Sequence, residues 1–275
     1  MSYTVEKEWL LSKLDDPKIR VIDCRFSLGN RDQGKNDYLE GHLPGAVFFD
    51  LEKDLSGIPG THGGRHPLPD LQQFTAKLER AGIDEKTTIV AYDTGEGAFA
   101  ARFWWMMQYL GHKSCFVLNG GYRGWADAHF PISKDTPMHE KTSFKAFIQP
   151  NWIASLDEVK QAVLEKIEGV QLLDSREEKR FLGIEEPIDK KAGHIPGAIN
   201  KPWFEGLENG SYKLKEVQKE RFSDLDSSKQ IIVYCGSGVT AAPNFLALKE
   251  AGFEKVKLYV GSFSDWISYP ENEIK

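Results

Sequence analysis

Residues 233–243 read VYCGSGVTAAP: a cysteine follows an apolar run and is wrapped in glycines and small hydroxyl residues. Thiolate sulfur is the nucleophilic form of cysteine, so its surroundings decide what it can do. The apolar run reads as a strand and the residues from about Thr240 onward as a helix, with Pro243 suited to its first turn. Ligands of open parallel sheets bind at the carboxyl ends of strands. Successive backbone N–H groups of Gly236, Ser237, Gly238, Val239 and Thr240 can turn inward there as an anion nest. The helix dipole behind them favours negative charge at the same place.

Four chemistries use a cysteine so placed. A phosphatase needs an arginine six residues later to clamp phosphate, and position 241 is Ala. A thioredoxin-like oxidoreductase needs a resolving cysteine at C-x-x-C spacing, and position 238 is Gly. A papain-like hydrolase needs a histidine base against the sulfur, which other parts of the chain could supply. In sulfur transfer the thiolate attacks a sulfane sulfur and the ring of amides stabilises the persulfide anion. The bland alternative is a buried cysteine acting as a small hydrophobe. That reading suits Cys24 and Cys115, but it leaves the glycine loop at Cys235 without a purpose.

Composition narrows the partners. The 275 residues suffice for two ordinary domains, and 40% hydrophobic with 28% charged residues describes a globular chain. A net charge of -6 argues against nucleic acid, whose phosphates ask for a basic face. The apolar runs are far shorter than a membrane span, and MSYTVEKEW has no secretory pattern, so no membrane partner is expected. Three widely spaced cysteines suggest free thiols in a reducing compartment, with the cytoplasm as the expected location.

The elements that must position Cys235 occur twice. RVIDCRFSL (20–28) echoes QLLDSREEK (171–179), and LEGHLPGAV (39–47) echoes KAGHIPGAI (191–199). TTIVAYDTGEGAFAA (87–101) echoes KQIIVYCGSGVTAAP (229–243), and FVLNGGYRGW (116–125) echoes KLYVGSFSDW (257–266). The first copy carries about ten extra residues between His42 and Asp93, around GIPGTHGGRHPLP. Short β-branched runs (VID, AVFF, TIVAY and CFVL; QLLD, AIN, IIVY and VKLY) alternate with amphipathic segments. Ser155 with Glu158 and Asp70 with Gln73 predict capping boxes for SLDEVKQAVLEK and LQQFTAKLERAG. Gly82, Gly111 and Gly252 mark helix ends. This alternation predicts an α/β fold, each copy a mostly parallel sheet flanked by helices on both faces. The expected boundaries are an N-terminal domain over 1–138, a linker over 139–152 and a C-terminal domain over 153–275.

Each copy is a control for the other. Features in both build the fold: Asp23-x-Arg25 and Asp174-x-Arg176 as ion pairs, His42 and His194 as hydrogen-bonded corners, Trp125 and Trp266 as core aromatics. At the loop in question the copies differ, with Asp93 in one and Cys235 in the other.

These features together resemble the two-domain, tandem rhodanese-type sulfurtransferases. The residues that carry the resemblance are GH(L/I)PGA in each copy, the Asp-for-Cys exchange, CGSGVTA and the closing GSFSDW. It implies that the first copy is catalytically silent, that the second carries a persulfide, and that the active site lies in a cleft between them. With Gly236 and Ser237 after the cysteine instead of basic residues, CGSGVTA looks like the 3-mercaptopyruvate sulfurtransferase version. The alternatives are a thiosulfate:cyanide sulfurtransferase and a non-catalytic binding module.

The resemblance also implies roles for other residues. Ser237 is to work with His66 of HPLP and an acid near Glu52, polarising the donor or protonating the enolate of pyruvate. That branch grips the donor carboxylate with two arginines. Arg180 in KRFLG matches the first; the second falls at Asp189, so Lys190 or Lys191 is expected to substitute, with a less geometric grip. Arg102 in AARFWWM matches a family position too, where a domain-interface role suits it as well as catalysis. The small anionic donor loads Cys235, which passes the sulfur to cyanide, a thiol or a thioredoxin-like dithiol. No cofactor is expected, and no metal either, because His62 and His66 stand on a Gly-Pro loop without helical spacing.

Overall fold

In the computed structural model, which describes residues 2–165, 167 and 169–275, the β-branched runs form two parallel sheets. Met1, in the expected first domain, and Lys166, the last residue of SLDEVKQAVLEK, lie outside the described residues. The first sheet contains β1 (Thr4–Val5), β2 (Ile19–Asp23), β3 (Val47–Phe48), β4 (Thr88–Tyr92) and β5 (Cys115–Leu118) in the order β1-β5-β4-β2-β3. The second has β6 (Val170–Asp174), β7 (Ile199–Asn200), β10 (Gln230–Tyr234) and β11 (Val256–Leu258) in the order β11-β10-β6-β7. Two short strands, β8 (Leu207–Glu208) and β9 (Ser211–Tyr212), fall between β7 and β10 in the chain. All pairings in both large sheets are parallel, and the registers correspond: Asp23 lies opposite Tyr92, and Asp174 opposite Tyr234.

Helices cross over between the parallel strands, as that pairing requires, and also stand after β5, before β6 and after β11. In the first half these are α1 (Lys7–Leu11), α2 (Gln33–Glu40), α3 (Leu71–Arg80), α4 (Ala98–Tyr109) and α5 (Gly121–Asp127). In the second they are α6 (Leu156–Leu164), α7 (Glu178–Phe181), α8 (Lys215–Arg221), α9 (Ala241–Ala251) and α10 (Ser262–Trp266). Ser155 forms the full capping box with Glu158. At α3 only half of the expected box is made: Asp70 accepts the Gln73 N–H. No described helix is long and apolar enough to cross a membrane.

Two compact units result. Unit 1 comprises Met1–Gly57, Leu68–Gln149 and Asn209–Tyr212; unit 2 comprises Ile58–Pro67, Pro150–Glu208 and Lys213–Lys275. These do not coincide with the sequence copies, because most of the extra residues of the first copy belong to unit 2. The stretch 139–149, expected as linker, is sewn onto unit 1: Thr142 Oγ1 donates to the Ile83 carbonyl, and the Phe147 N–H to the Leu110 carbonyl.

Each unit has its own core. Val21, Val90, Tyr92, Leu118 and Trp125 pack in one; Leu172, Ile232, Tyr234, Phe263 and Trp266 pack in the other. The residues found in both copies build matching scaffolds. Arg25 grips Asp23 through Nε and Nη2, and Arg176 grips Asp174 in the same way. His42 Nδ1 meets the Tyr38 carbonyl and His194 Nδ1 the Phe181 carbonyl, each at 2.7 Å, with the rings stacked. Trp125 and Trp266 each donate their indole N–H to a carbonyl at 2.8 Å.

Candidate active site

Strand β10 delivers Cys235 to the base of a tight turn that ends at Thr240, the residue capping α9. The thiol is buried, and its sulfur accepts the Gly238 N–H at 3.1 Å. Gly238 takes φ +78°, and a Cβ there would be driven into the Val260 carbonyl. Only glycine can therefore aim this amide at the sulfur. The Val239 carbonyl accepts the Ala242 N–H, closing the turn into the helix.

The turn is fastened from the α10 side. The Cys235 and Gly236 carbonyls accept the Phe263 and Ser264 N–H groups at 2.9 Å each. The Cys235 N–H donates to Ser262 Oγ at 3.1 Å, and that hydroxyl donates to the Tyr259 carbonyl and lies 4.0 Å from the sulfur. Ser262 holds φ +55°. Its counterpart in the first copy is Gly121, at φ +53°. A left-handed serine is strained where glycine is not, and such strain collects at functional sites. Comparing GGYRGW with GSFSDW, where serine replaces the second glycine, is the sequence signal that marks Ser262.

Unit 1 shows what this turn can bind. The buried Asp93 carboxylate accepts four backbone N–H groups, from Gly95, Gly97, Phe99 and Ala100, at 2.9 to 3.2 Å. Burial pushes its pKa up, while those amides pull it down.

Ser237 and His66 meet directly, with Oγ 2.8 Å from Nδ1 and both side chains buried. His66 arrives on the segment Ile58–Pro67 of unit 2, which is anchored along its length. His62 stacks on Tyr269 and meets Ser268 Oγ at 2.7 Å; the Gly63 N–H donates to Asp265 and the Arg65 N–H to Ser264 Oγ. Asp265, which the sequence reading did not single out, also accepts the Tyr259 hydroxyl at 2.6 Å. Glu52 lies in unit 1, where it is paired with Arg31 at 3.2 Å. Arg102, also in unit 1, is buried and donates to the Leu55 carbonyl. Among the described residues no group of three or more His, Cys, Asp or Glu side chains could hold a metal ion.

Arg180 reaches the turn from α7. Glu186 grips it through Nε and Nη2, and Asp189 Oδ2 accepts from its Nη2 at 2.9 Å. Asp189 also forms an ion pair with Arg65 through Oδ1. The two guanidiniums flank Gly236: a Cβ built there would stand 2.9 Å from Arg65 Nη2 and 3.4 Å from Arg180 Nη2. Burial lowers the pKa of Arg65 most, with Cys235 opposing and the Arg180 cation adding to the fall. Lys190 and Lys191 are exposed. The sequence reading missed Arg65 because its acidic partner lies far along the chain.

A family model described as Rhodanese-like domain matches residues 6–128 and again 155–269. The chain is 39% identical to a probable 3-mercaptopyruvate sulfurtransferase of Pseudomonas aeruginosa, covering 96% of this chain and 95% of that protein. It is 34% identical to a thiosulfate sulfurtransferase of Rattus norvegicus, with 95% and 91% covered. The crystal structure of SseA from Escherichia coli, a 3-mercaptopyruvate sulfotransferase, superposes with a TM-score of 0.85 at 34% identity, covering 96% of this chain and all of that one.

Proposed function

The chain belongs to the rhodanese-like family and is a sulfurtransferase of the 3-mercaptopyruvate or thiosulfate class; on that premise we propose that 3-mercaptopyruvate is its donor and a Cys235 persulfide its intermediate. The observation that carries this reading is the Cys235 sulfur at 3.1 Å from the Gly238 N–H, at the start of α9. A persulfide is one atom longer than a thiolate and carries its charge on the outer sulfur. A turn rich in backbone N–H donors next to a helix N-terminus suits that charge. The carboxylate of Asp93, held by four amides in the corresponding turn of unit 1, supports the same capacity.

In the proposed reaction the Cys235 thiolate attacks the donor sulfur. The carbon–sulfur bond breaks, and its electron pair leaves on C3 as the enolate of pyruvate. Proton transfer to that carbon gives pyruvate and leaves the outer sulfur on Cys235. The Ser237–His66 pair, at 2.8 Å, is the hydroxyl–imidazole couple suited to moving that proton. Arg180 grips the donor carboxylate. An acceptor then attacks the outer sulfur, and the sulfur–sulfur electron pair returns to Cys235. Cyanide, a small thiol or a thioredoxin-like dithiol all fit this second step.

Intact-mass analysis after incubation with 3-mercaptopyruvate tests the reading. A single-sulfur adduct is expected, absent in Cys235→Ser; no adduct, or one that survives the substitution, overturns it. Thiosulfate is the second reading, supported by relatives that carry that name at 34 to 36% identity. A marked steady-state advantage for thiosulfate would reverse the choice of donor.

A further inference from the structure

The charged cluster beside Gly236 has an arrangement that its sequence positions conceal. Three arginines, Arg65, Arg176 and Arg180, meet three buried or nearly buried acids, Asp174, Glu186 and Asp189. Asp174 and Glu186 are committed to Arg176 and to the inner edge of Arg180. Asp189 stands between the other two cations, with one carboxylate oxygen on each. Two guanidiniums brought to one glycine repel one another, so a carboxylate between them is what permits the approach. Asp189 is fixed in turn, because its N–H donates to Glu186 at 2.9 Å.

The outer edge of Arg65 has a different character. Its Nη1 takes Asp189. Its Nη2 lies at Gly236, the residue next to the nucleophile, and the side chain is one-third exposed. The close approach of Gly64 to the Gly261 carbonyl and the Ser264 hydroxyl fixes the backbone that presents it.

We infer that Arg65, held by Asp189, is the second guanidinium of a two-arginine clamp with Arg180 that grips the anionic end of the sulfur donor. This rests on the proposed sulfur transfer and deepens it: the segment Ile58–Pro67 supplies half of the donor specificity. Asp189 is a positioning residue. The ligand chemistry is a small carboxylate or sulfonate on a group whose sulfur reaches Cys235.

The test uses the full chain and two alkylating agents of one shape, anionic iodoacetate and neutral iodoacetamide. The readout is the ratio of their rates at Cys235, with the adduct located by peptide mass. Removing one charge-assisted hydrogen bond to the anion corresponds to about 10- to 100-fold. Arg65→Ala is therefore expected to lower the ratio about tenfold while the iodoacetamide rate changes less than about twofold. KM for 3-mercaptopyruvate should rise about 10- to 100-fold with a smaller change in kcat. Arg65→Asp should be worse, and the exchanged pair Arg65→Asp with Asp189→Arg should recover most of the ratio. An unchanged ratio in Arg65→Ala overturns the clamp, as does an equal fall with both reagents or no recovery in the exchanged pair. Thiosulfate in parallel separates the anions: a KM rise confined to it would assign the clamp to sulfonate and overturn the carboxylate arm. Because alkylation needs no sulfur transfer, failure of the clamp and failure of the proposed reaction are read separately.

Discussion

Ser262 Oγ accepts the Cys235 N–H at 3.1 Å from a backbone at φ +55°, where the corresponding residue of the first copy is Gly121. A strained serine is thus kept at the place where its hydroxyl touches the backbone of Cys235. Ser262→Gly should relieve about 1 kcal/mol of strain and lose a hydrogen bond of similar size, leaving stability nearly unchanged. The rate of Cys235 persulfidation should nevertheless fall about tenfold, because the cysteine loses its anchor. Ser262→Ala keeps the strain and loses the bond, so it should unfold at lower urea by about 1 to 2 kcal/mol. Urea titration with single-turnover mass analysis separates the two; equal stability of both variants would contradict the strain.

Ser237→Ala leaves His66 without its hydroxyl partner. If the pair moves the proton that completes pyruvate, kcat with 3-mercaptopyruvate should fall about 10²-fold or more. Thiosulfate leaves as sulfite and needs no proton on carbon, so its turnover should fall much less. Comparing the two donors on one variant checks this; equal losses would assign the pair to holding the turn.

Gly236→Ala places a methyl 2.9 Å from Arg65 Nη2 and 3.4 Å from Arg180 Nη2. These, and Asp189 Oδ2 at 3.3 Å, are all side-chain ends, so stability should drop by less than about 1 kcal/mol. The clamp should open all the same, raising KM for the carboxylate donor about tenfold. Thermal unfolding and steady-state kinetics on the same preparation give both numbers.

His112 is buried against the Thr87 carbonyl, with Nε2 at 2.9 Å, and burial lowers its pKa. The unfolded chain therefore binds a proton at higher pH than the folded one does. The stability contributed by the neutral ring is fully present above about pH 6.5 and is lost as pH falls from there toward the folded value. His112→Gln, which keeps a donor and cannot charge, should flatten this part of the pH–stability curve. Urea midpoints between pH 5 and 8 measure it.

Much of this was legible because the chain repeats itself. Cys235 against Asp93, and the matched Asp-x-Arg and Gly-His-x-Pro corners, single out one turn against the scaffold without any structure. The strands were legible for an ordinary reason: parallel strands buried on both faces are continuous β-branched runs. Strand β1, at two residues, is too short to show a pattern. The stretch 139–149 shows none either, because its backbone bonds to the ends of α3 and α4 and not to a repeating partner. Arg65 was hidden for a different reason. Its role depends on Asp189, and an ion pair between remote loops leaves no local spacing to read. In the proposed clamp the basic group sought near position 190 comes from another part of the chain.

The anchoring of Ile58–Pro67 by Asp265, Ser264 and Ser268 also bears on the history of the duplication. A polypeptide starting at Pro150 would keep the thiol but lack His66 and Arg65, both of which the first copy encodes. The copy that carries Asp93 at the corresponding position thus encodes residues that stand beside its sibling's thiol-bearing turn. Under the proposed reaction, separating the copies would therefore take an imidazole and a guanidinium away from the turn that holds the thiol.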